Sequence, residues 1–266
     1  MNSLSPPNLF YSASESARFD LRIFRGSLAQ WESHELRQAI EDECIDVAIL
    51  RIPTSEQYRL SELSNLPYPV LVADTLVTFD GDLRRSPLNP LYNSRLAYHQ
   101  ATMADQAALE ELVDLSFKEY RTHYHSNPLF DPKLVLEGYK EWAMSCLNPD
   151  DKRVCFLYYV DGQAVAFTTN MVHADYGEGI IFGARPNVPS RGLYTDLIRH
   201  TKQYMHEQGL RRVRATTQIQ NHGVQRVWAR EGLLPTQSHC TVHINALLHQ
   251  KQKLASSVGL RTVISA

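Results

Sequence analysis

The chain of 266 residues predicts an α/β (α+β) fold, a mixed central sheet flanked by helices with a smaller α/β domain ahead of it. Three observations carry this reading. Short apolar, β-branched runs alternate with stretches of helical periodicity along the chain. The stretch GDLRRSPLNPLYNSR, residues 81–95, gathers two prolines, a glycine and a charge cluster into the best linker, which puts a boundary near Ser94. Beyond it the elements read β-α-α-β-β-β-α-β-α-β. Three segments follow: 1–94 as an N-terminal α/β accessory domain, 95–248 as the main domain, and 249–266 as an unassigned tail.

The first ten residues, with Pro-Pro and Ser, read as a loose leader. Leu21 to Phe24 is strand-like, and the polar stretch from Trp31 to Glu43 places Leu36, Ala39 and Ile40 at helical spacing. Ile45 to Ile52 is a buried strand and Pro69 to Phe79 another. After the linker, Leu96 to Thr102 is a short strand. Thr102 and Asp105 form a capping box with Asp in the Glu position, and the helix behind it carries Leu109, Leu112, Val113, Ser116 and Phe117 on one face. Asp131-Pro132 is an N-cap followed by a first-turn proline, and Val135, Tyr139, Trp142 and Cys146 continue as a core stripe. Asp161-Gly162 sits at the turn of a hairpin between VCFLYYV and AVAFTTNMV. Gly179 to Ala184 is the next strand. A helix runs from Gly192 to Gly209, VRATT is a strand, Asn221 caps a short helix ending at Gly232, and CTVHINALL closes the sheet.

Composition narrows the function. With 27 Lys+Arg against 29 Asp+Glu the net charge is −2, so no basic field points to nucleic acid or an anionic membrane. The four cysteines, Cys44, Cys146, Cys155 and Cys240, form no C-x-x-C pair, which argues against a zinc site or a disulfide framework. No apolar run approaches the ~20 residues that span a bilayer, and MNSLSPPNLF lacks the pattern of a signal peptide. The expectation is a soluble cytoplasmic protein. His123 and His125, and His239 and His243, lack the carboxylates of a metal-binding motif, so no metal is expected.

The stretch IIFGARPNVPSRGLYTDLIRH runs from a buried strand through a proline-interrupted loop into a helix at Gly192. Unpaired N–H groups and the positive end of the dipole make that helix start a natural diphosphate seat, and Arg191 adds charge. The window Pro189 to Tyr194 resembles the Q/R-x-x-G-x-G/A acyl-CoA loop of the GCN5-related N-acetyltransferase (GNAT) superfamily, with Gly192 retained and Pro189 and Tyr194 departing. NHGVQRVWAREG, from Asn221 to Gly232, resembles the superfamily's N-x-x-A-x-x-x-Y-x-x-x-G-F motif, with Trp228 where a tyrosine usually protonates the departing thiolate. An indole N–H is a donor but no usable acid.

Residues 20 to 247 resemble the dTDP-fucosamine acetyltransferase type within that superfamily. The likeness rests on IDVAILRIPTSEQYRLSELSN with PVLVADTLVTF, on SFKEYRTHYHSNPLFDPKLVLEGYKEW, and on VRATTQIQNHGVQRVWAREGLLPTQSHCTVHI. It implies the GNAT fold and transfer of an acetyl or somewhat larger acyl group from acyl-CoA to the amine of a dTDP-linked amino-deoxyhexose, for surface polysaccharide such as lipopolysaccharide O-antigen. On this reading Phe182, Gly183, Ala184, Ser190, Arg191, Gly192, Leu193, Tyr194, Asn221, Val224 and Trp228 hold acyl-CoA. Arg121, Tyr124, Asn127 and Phe130 hold the sugar nucleotide, because a cation, aromatics and amides suit phosphates, a base and hydroxyls. Glu178, His123 and His125 are the candidate bases, unranked. Partners are the small-molecule substrates, with no nucleic acid or membrane and with a homodimer as a candidate assembly. Two alternatives stand: a GNAT enzyme acting on an amino acid or peptide amine, and a degenerate, non-catalytic ligand-binding protein.

Overall fold

The computed structural model describes residues 9–27, 32–86, 88–148, 152–186 and 192–247. In chain order they form β1 (Leu9–Tyr11), α1 (Ala13–Phe19), β2 (Ile23–Ser27), α2 (Ser33–Asp42), β3 (Val47–Pro53) and a 3-10 stretch at Thr54–Asn65. Next come β4 (Val70–Asp82), β5 (Ala97–Gln100), α3 (Gln106–Phe117) and α4 (Pro132–Met144). The hairpin β6 (Arg153–Val160) and β7 (Gln163–Val172) leads to β8 (Gly177–Ala184), α5 (Leu193–Glu207), β9 (Arg212–Gln218), α6 (His222–Arg230) and β10 (Leu234–Asn245). From β5 onward this is the element order expected from sequence.

Local signals placed several elements. Thr102 and Asp105 do form a capping box, the Thr102 N–H donating to Asp105 at 2.8 Å, although the first turn is 3-10. Asp161 and Gly162 both have positive φ, +50° and +79°, as a tight two-residue hairpin turn requires. One helix, α1, escaped the sequence reading, and β1 lies in the stretch read as a loose leader. Of the stripe on α4, Val135 is buried and Tyr139 stacks on Phe117 at 4.6 Å, but Trp142 is 48% exposed and not core. The tail 249–266 lies outside the described residues.

The chain divides into two compact units, and neither is continuous in sequence. The first comprises residues 1–75, 122–131 and 238–266; the second comprises 76–121 and 132–237. The sequence predicts cuts near residues 94 and 248; these two units divide inside β4 and β10 and on either side of the segment 122–131.

In the first unit the strand order is β1-β2-β3-β10, with β2 and β3 parallel and the other pairs antiparallel. Strand alternation sorts the side chains into two faces. Phe24, Ala48, Leu50, Ile52, Val242 and Ile244 form the apolar face, packed against Leu36, Ile40 and Leu63. The opposite face is mixed, setting Arg25, Arg51, Thr241, His243 and Asn245 among the buried Ile23, Val47 and Ile49. Glu15 of α1 and His123, Tyr124 and Asn127 of the returning segment bond into that face.

Its hydrogen bonds fix the protonation pattern. The Leu129 N–H donates to Asn127 Oδ1 at 3.1 Å, so the Asn127 amide nitrogen faces His243 Nδ1 at 3.0 Å and donates. His243 therefore carries its proton on Nε2, which donates to His123 Nδ1 at 2.9 Å. Burial, with Arg25 and Arg51 adding repulsion, holds His243 down at about 3, and burial likewise keeps His123 well below the imidazole range. For Glu15 burial acts to raise the pKa, but hydrogen bonds and charge from Arg25, Ser12 and Tyr124 win and hold it at about 2.

All three shifts destabilise the native state in acid. An unfolded chain protonates both histidines below about pH 6.5 while the native chain keeps them neutral, costing up to about 1.4 kcal/mol per pH unit for each. The contribution of Glu15, present above the unfolded-chain value of 4.5, is lost as pH falls from there toward about 2. Unfolding free energy measured in urea should fall steadily as pH drops below about 6.5, and His243→Gln should flatten that slope. An unchanged slope in the variant would contradict the neutral assignment.

Candidate active site

The second unit has strand order β4-β9-β8-β7-β6-β5, in which only β8 and β9 run parallel. That parallel pairing is short. It covers Gly177↔Val213, Glu178↔Arg214 and Gly179↔Ala215 and then stops, while β8 continues to Ala184 and β9 to Gln218. On the other edge of β8 the register shifts, Thr169 facing Ile181 and Asn170 facing Gly179, so that Ile180 is a bulged residue where the strands part.

Beyond the bulge, alternation decides which backbone groups face the gap. The Ile181 N–H donates to Thr169 Oγ1 at 3.1 Å and the Arg185 N–H to the Val165 carbonyl at 2.8 Å, so the odd positions turn toward β7. Phe182 and Ala184 turn their N–H and C=O groups to the opposite edge. Their carbonyls are satisfied by hydroxyls: Tyr194 Oη donates to Phe182 O at 3.0 Å and Ser116 Oγ to Ala184 O at 3.1 Å. The two N–H groups remain at an edge that β9 has left. Such donors can polarise a carbonyl placed in the gap. Gly183 turns its amide to β7 instead, and a Cβ there would lie 2.2 Å from the Phe167 ring.

The helix α5 opens at Gly192, whose φ of +84° a residue with a side chain adopts only with strain. A Cβ there would also meet the Tyr92 ring at 2.8 Å, so this glycine is demanded by the fold before any ligand is considered. Asp196 in the first turn is fully buried and accepts from the backbone N–H groups of Tyr92 and Asn93. Leu193 is buried in the core. Burial pushes the Tyr194 phenol up to about 12, leaving it a neutral donor that ties the helix start to β8. Ser190 and Arg191 lie outside the described residues.

Asn221 joins β9 to α6. Its Oδ1 accepts from the Val224 N–H at 3.5 Å and its Nδ2 donates to Thr217 Oγ1 at 3.1 Å. Trp228 is 2% exposed and stands edge-on to Phe79 and Phe182, with centroids 5.6 and 6.1 Å away, within a cluster that includes Val213, Ala215 and Leu233. Its indole N–H has no hydrogen-bond partner. Val224 is partly buried against the same cluster.

The other sequence-derived positions lie elsewhere. Glu178 Oε2 accepts from His173 Nε2 at 3.0 Å, on the part of β8 still paired with β9. His123 is buried and neutral in the first unit, and His125 accepts the Thr122 N–H at 3.1 Å as part of a turn cap. Arg121 is exposed. Tyr124 bonds to Glu15 and Arg25, and Asn127 and Phe130 are 1% and 4% exposed within the first unit. Three of the four acceptor positions are thus interior. The partners that hold them, Glu15, Arg25, His243 and Asn245, escaped the sequence reading. A signal existed for the last two, since Thr241, His243 and Asn245 alternate with Val242 and Ile244.

Residues 91–222 match the family model described as acetyltransferase (GNAT) domain. This part of the chain is similar to a GNAT acetyltransferase domain. The reaction class of that family is acyl transfer from acyl-CoA to an amine, so the matched stretch supports an acyl-CoA-dependent N-acyltransferase. No curated protein matches the sequence as a relative. Among solved structures, a conserved protein of unknown function from Staphylococcus epidermidis superposes with a TM-score of 0.64 at 10% identity, over 92% of this chain and 93% of that one. A GCN5-related N-acetyltransferase from Kribbella flavida gives 0.58 at 13%, over 91% and 88%. A GCN5-related glucosamine N-acetyltransferase region in a fungal multi-domain β-N-acetylglucosaminidase gives 0.58 at 9%, over 89% of this chain and 31% of that one. These likenesses are of fold. Among the described residues no group of side chains could hold a metal, and no helix is long and apolar enough to cross a membrane.

The burial of Trp228 lets its packing be tested apart from any chemistry. Trp228→Ala should cost about 3–5 kcal/mol of stability in denaturant unfolding, the usual loss for a buried large aromatic. Trp228→Phe should keep most of the turnover with acetyl-CoA, since it removes a donor that bonds to nothing in the protein. A collapse of kcat in a folded Phe variant with unchanged coenzyme A affinity would show that the indole N–H acts on the substrate.

Proposed function

We propose that the protein transfers an acyl group from acyl-CoA to the amine of a dTDP-linked amino-deoxyhexose. The observation that carries the transfer reaction is the parting of β8 and β9, which leaves the Phe182 and Ala184 amides facing a gap. A thioester carbonyl held there would accept from them as its oxygen gains charge. The first-turn amides of α5, with Ser190 and Arg191 before them, suit the coenzyme's diphosphate, and Asn221 suits its pantetheine arm.

The acceptor amine attacks the thioester carbon in its neutral form, so a proton must leave it first. Of the three candidate bases Glu178 is the one on β8 itself; His123 and His125 already serve the first unit's network and a turn cap. With tryptophan at position 228, the departing thiolate takes its proton from the attacking nitrogen. Positioning of the two reactants then supplies much of the rate.

The nucleotide-sugar acceptor is supported by the resemblance over residues 20 to 247 and by the exposed cation Arg121. An amino-sugar acceptor has a parallel in the glucosamine N-acetyltransferase region that shares the fold. Surface polysaccharide synthesis in the cytoplasm would be its setting. Purified protein should acylate a dTDP-amino-deoxyhexose with acetyl-CoA far faster than the free amino sugar, because the remote nucleotide positions the amine. Arg121→Ala should raise KM for the nucleotide sugar by roughly one to two decades, as loss of a charge-assisted contact implies, and leave KM for acetyl-CoA unchanged. Equal rates with free amino sugars, amino acids or peptides would replace this acceptor class with a general amine.

A further inference from the structure

The mixed face of the first unit's sheet carries a row that no part of the proposed reaction uses. At one register Ser27 of β2 pairs with Arg51 of β3, and Arg51 pairs with Thr241 of β10. Neighbouring strands lie about 4.8 Å apart, so a hydroxyl, a guanidinium and a hydroxyl stand side by side on one face. The Arg51 Nη1 and Thr241 Oγ1 atoms are both buried, and neither has a hydrogen-bond partner among the described residues. A guanidinium carries five N–H donors and stays charged at any ordinary pH. A buried N–H of this kind left unmade is costly, more so on a cation.

The surroundings show what the row lacks. Glu15 is committed to Arg25, bonding it through both carboxylate oxygens, and it also accepts from Tyr124. Asp74 supplies negative charge near Arg51, while Arg25 adds repulsion. His239, the next same-face position on β10, is kept below its ordinary range by burial and by Arg51, and so brings no second cation. Along the row Ser27 is exposed, Arg51 is partly exposed and Thr241 is fully buried, so the row opens toward the β2 side. All three residues lie outside the stretch 91–222 matched by the GNAT domain.

We infer that Ser27, Arg51 and Thr241 form a binding site for an oxyanion, the carboxylate or phosphate group of a small molecule. The planar fork of Arg51 presents parallel N–H groups to two oxygens, and the hydroxyls on either side donate to the same group. A bound anion would satisfy both orphaned atoms at once.

The test uses the full chain saturated with coenzyme A, so that phosphate seats on the GNAT domain are filled beforehand. Inorganic phosphate and, separately, sodium acetate are titrated calorimetrically at constant ionic strength. Saturable binding of at least one is expected, weakened about ten- to hundredfold in Arg51→Met and measurably in Thr241→Val, which removes only the hydroxyl. Tighter binding of phosphate marks a phosphate-bearing ligand, and of acetate a carboxylate. Should Arg51→Met not fold, Thr241→Val alone decides. No saturable binding of either anion, or binding undiminished in the folded variants, overturns the site. Neither readout depends on turnover, so the result stands apart from the fate of the acyl-transfer reading.

Discussion

The constraint on which the second unit of this protein depends is that a backbone polar group must find a partner. Where β8 and β9 stop pairing at Gly179↔Ala215, both strands leave edge groups exposed. The fold answers for the carbonyls with two hydroxyls, from Tyr194 and Ser116, reaching in from α5 and α3. For the Phe182 and Ala184 N–H groups β9 offers nothing. A carbonyl-bearing substrate is the natural complement, and the same asymmetry explains why a bulky Tyr194 is tolerated beside the helix start: it is part of the strand's hydrogen-bonding account.

A second application of the same rule organises the first unit. Its sheet has one ordinary face, where aliphatic side chains meet α2, and one unusual face on which Arg25, His243 and Asn245 bond to Glu15, Tyr124, His123 and Asn127. Half-satisfied buried networks are more costly than apolar cores, so satisfied ones fix a unique arrangement. Here the chain Asn245, Asn127, His243, His123 leaves each amide and ring nitrogen a single role. Against that completeness the two orphaned atoms on Arg51 and Thr241 stand out.

Much of the second unit was legible in sequence because its signals are local. A capping box, an Asp-Gly turn, an Asn cap and a glycine at the start of α5 each act within a few residues, and each is found where the spacing put it. What was not legible depends on contacts far apart in the chain. The Tyr120–Phe130 stretch reads as a polar loop rich in ligand-like side chains, yet Asn127 and Phe130 are interior because β10, more than a hundred residues later, supplies His243 and Asn245. Gly192 reads in sequence as part of a diphosphate seat, whereas its positive φ and the Tyr92 ring require a glycine there regardless of phosphate. Nor could periodicity show that β8 and β9 separate after three residue pairs, since both read as continuous strands.

The central claim is that the gap beyond Gly179 receives the acyl thioester. Amide NMR on protein labelled with 15N at phenylalanine and alanine reads it directly, by titration with acetyl-CoA and with coenzyme A alone. The account predicts that the Phe182 and Ala184 amide protons move downfield with acetyl-CoA and move less with the free thiol, which has no carbonyl to accept from them. If both resonances stay fixed while others report that the cofactor has bound, the thioester lies elsewhere and the account is wrong.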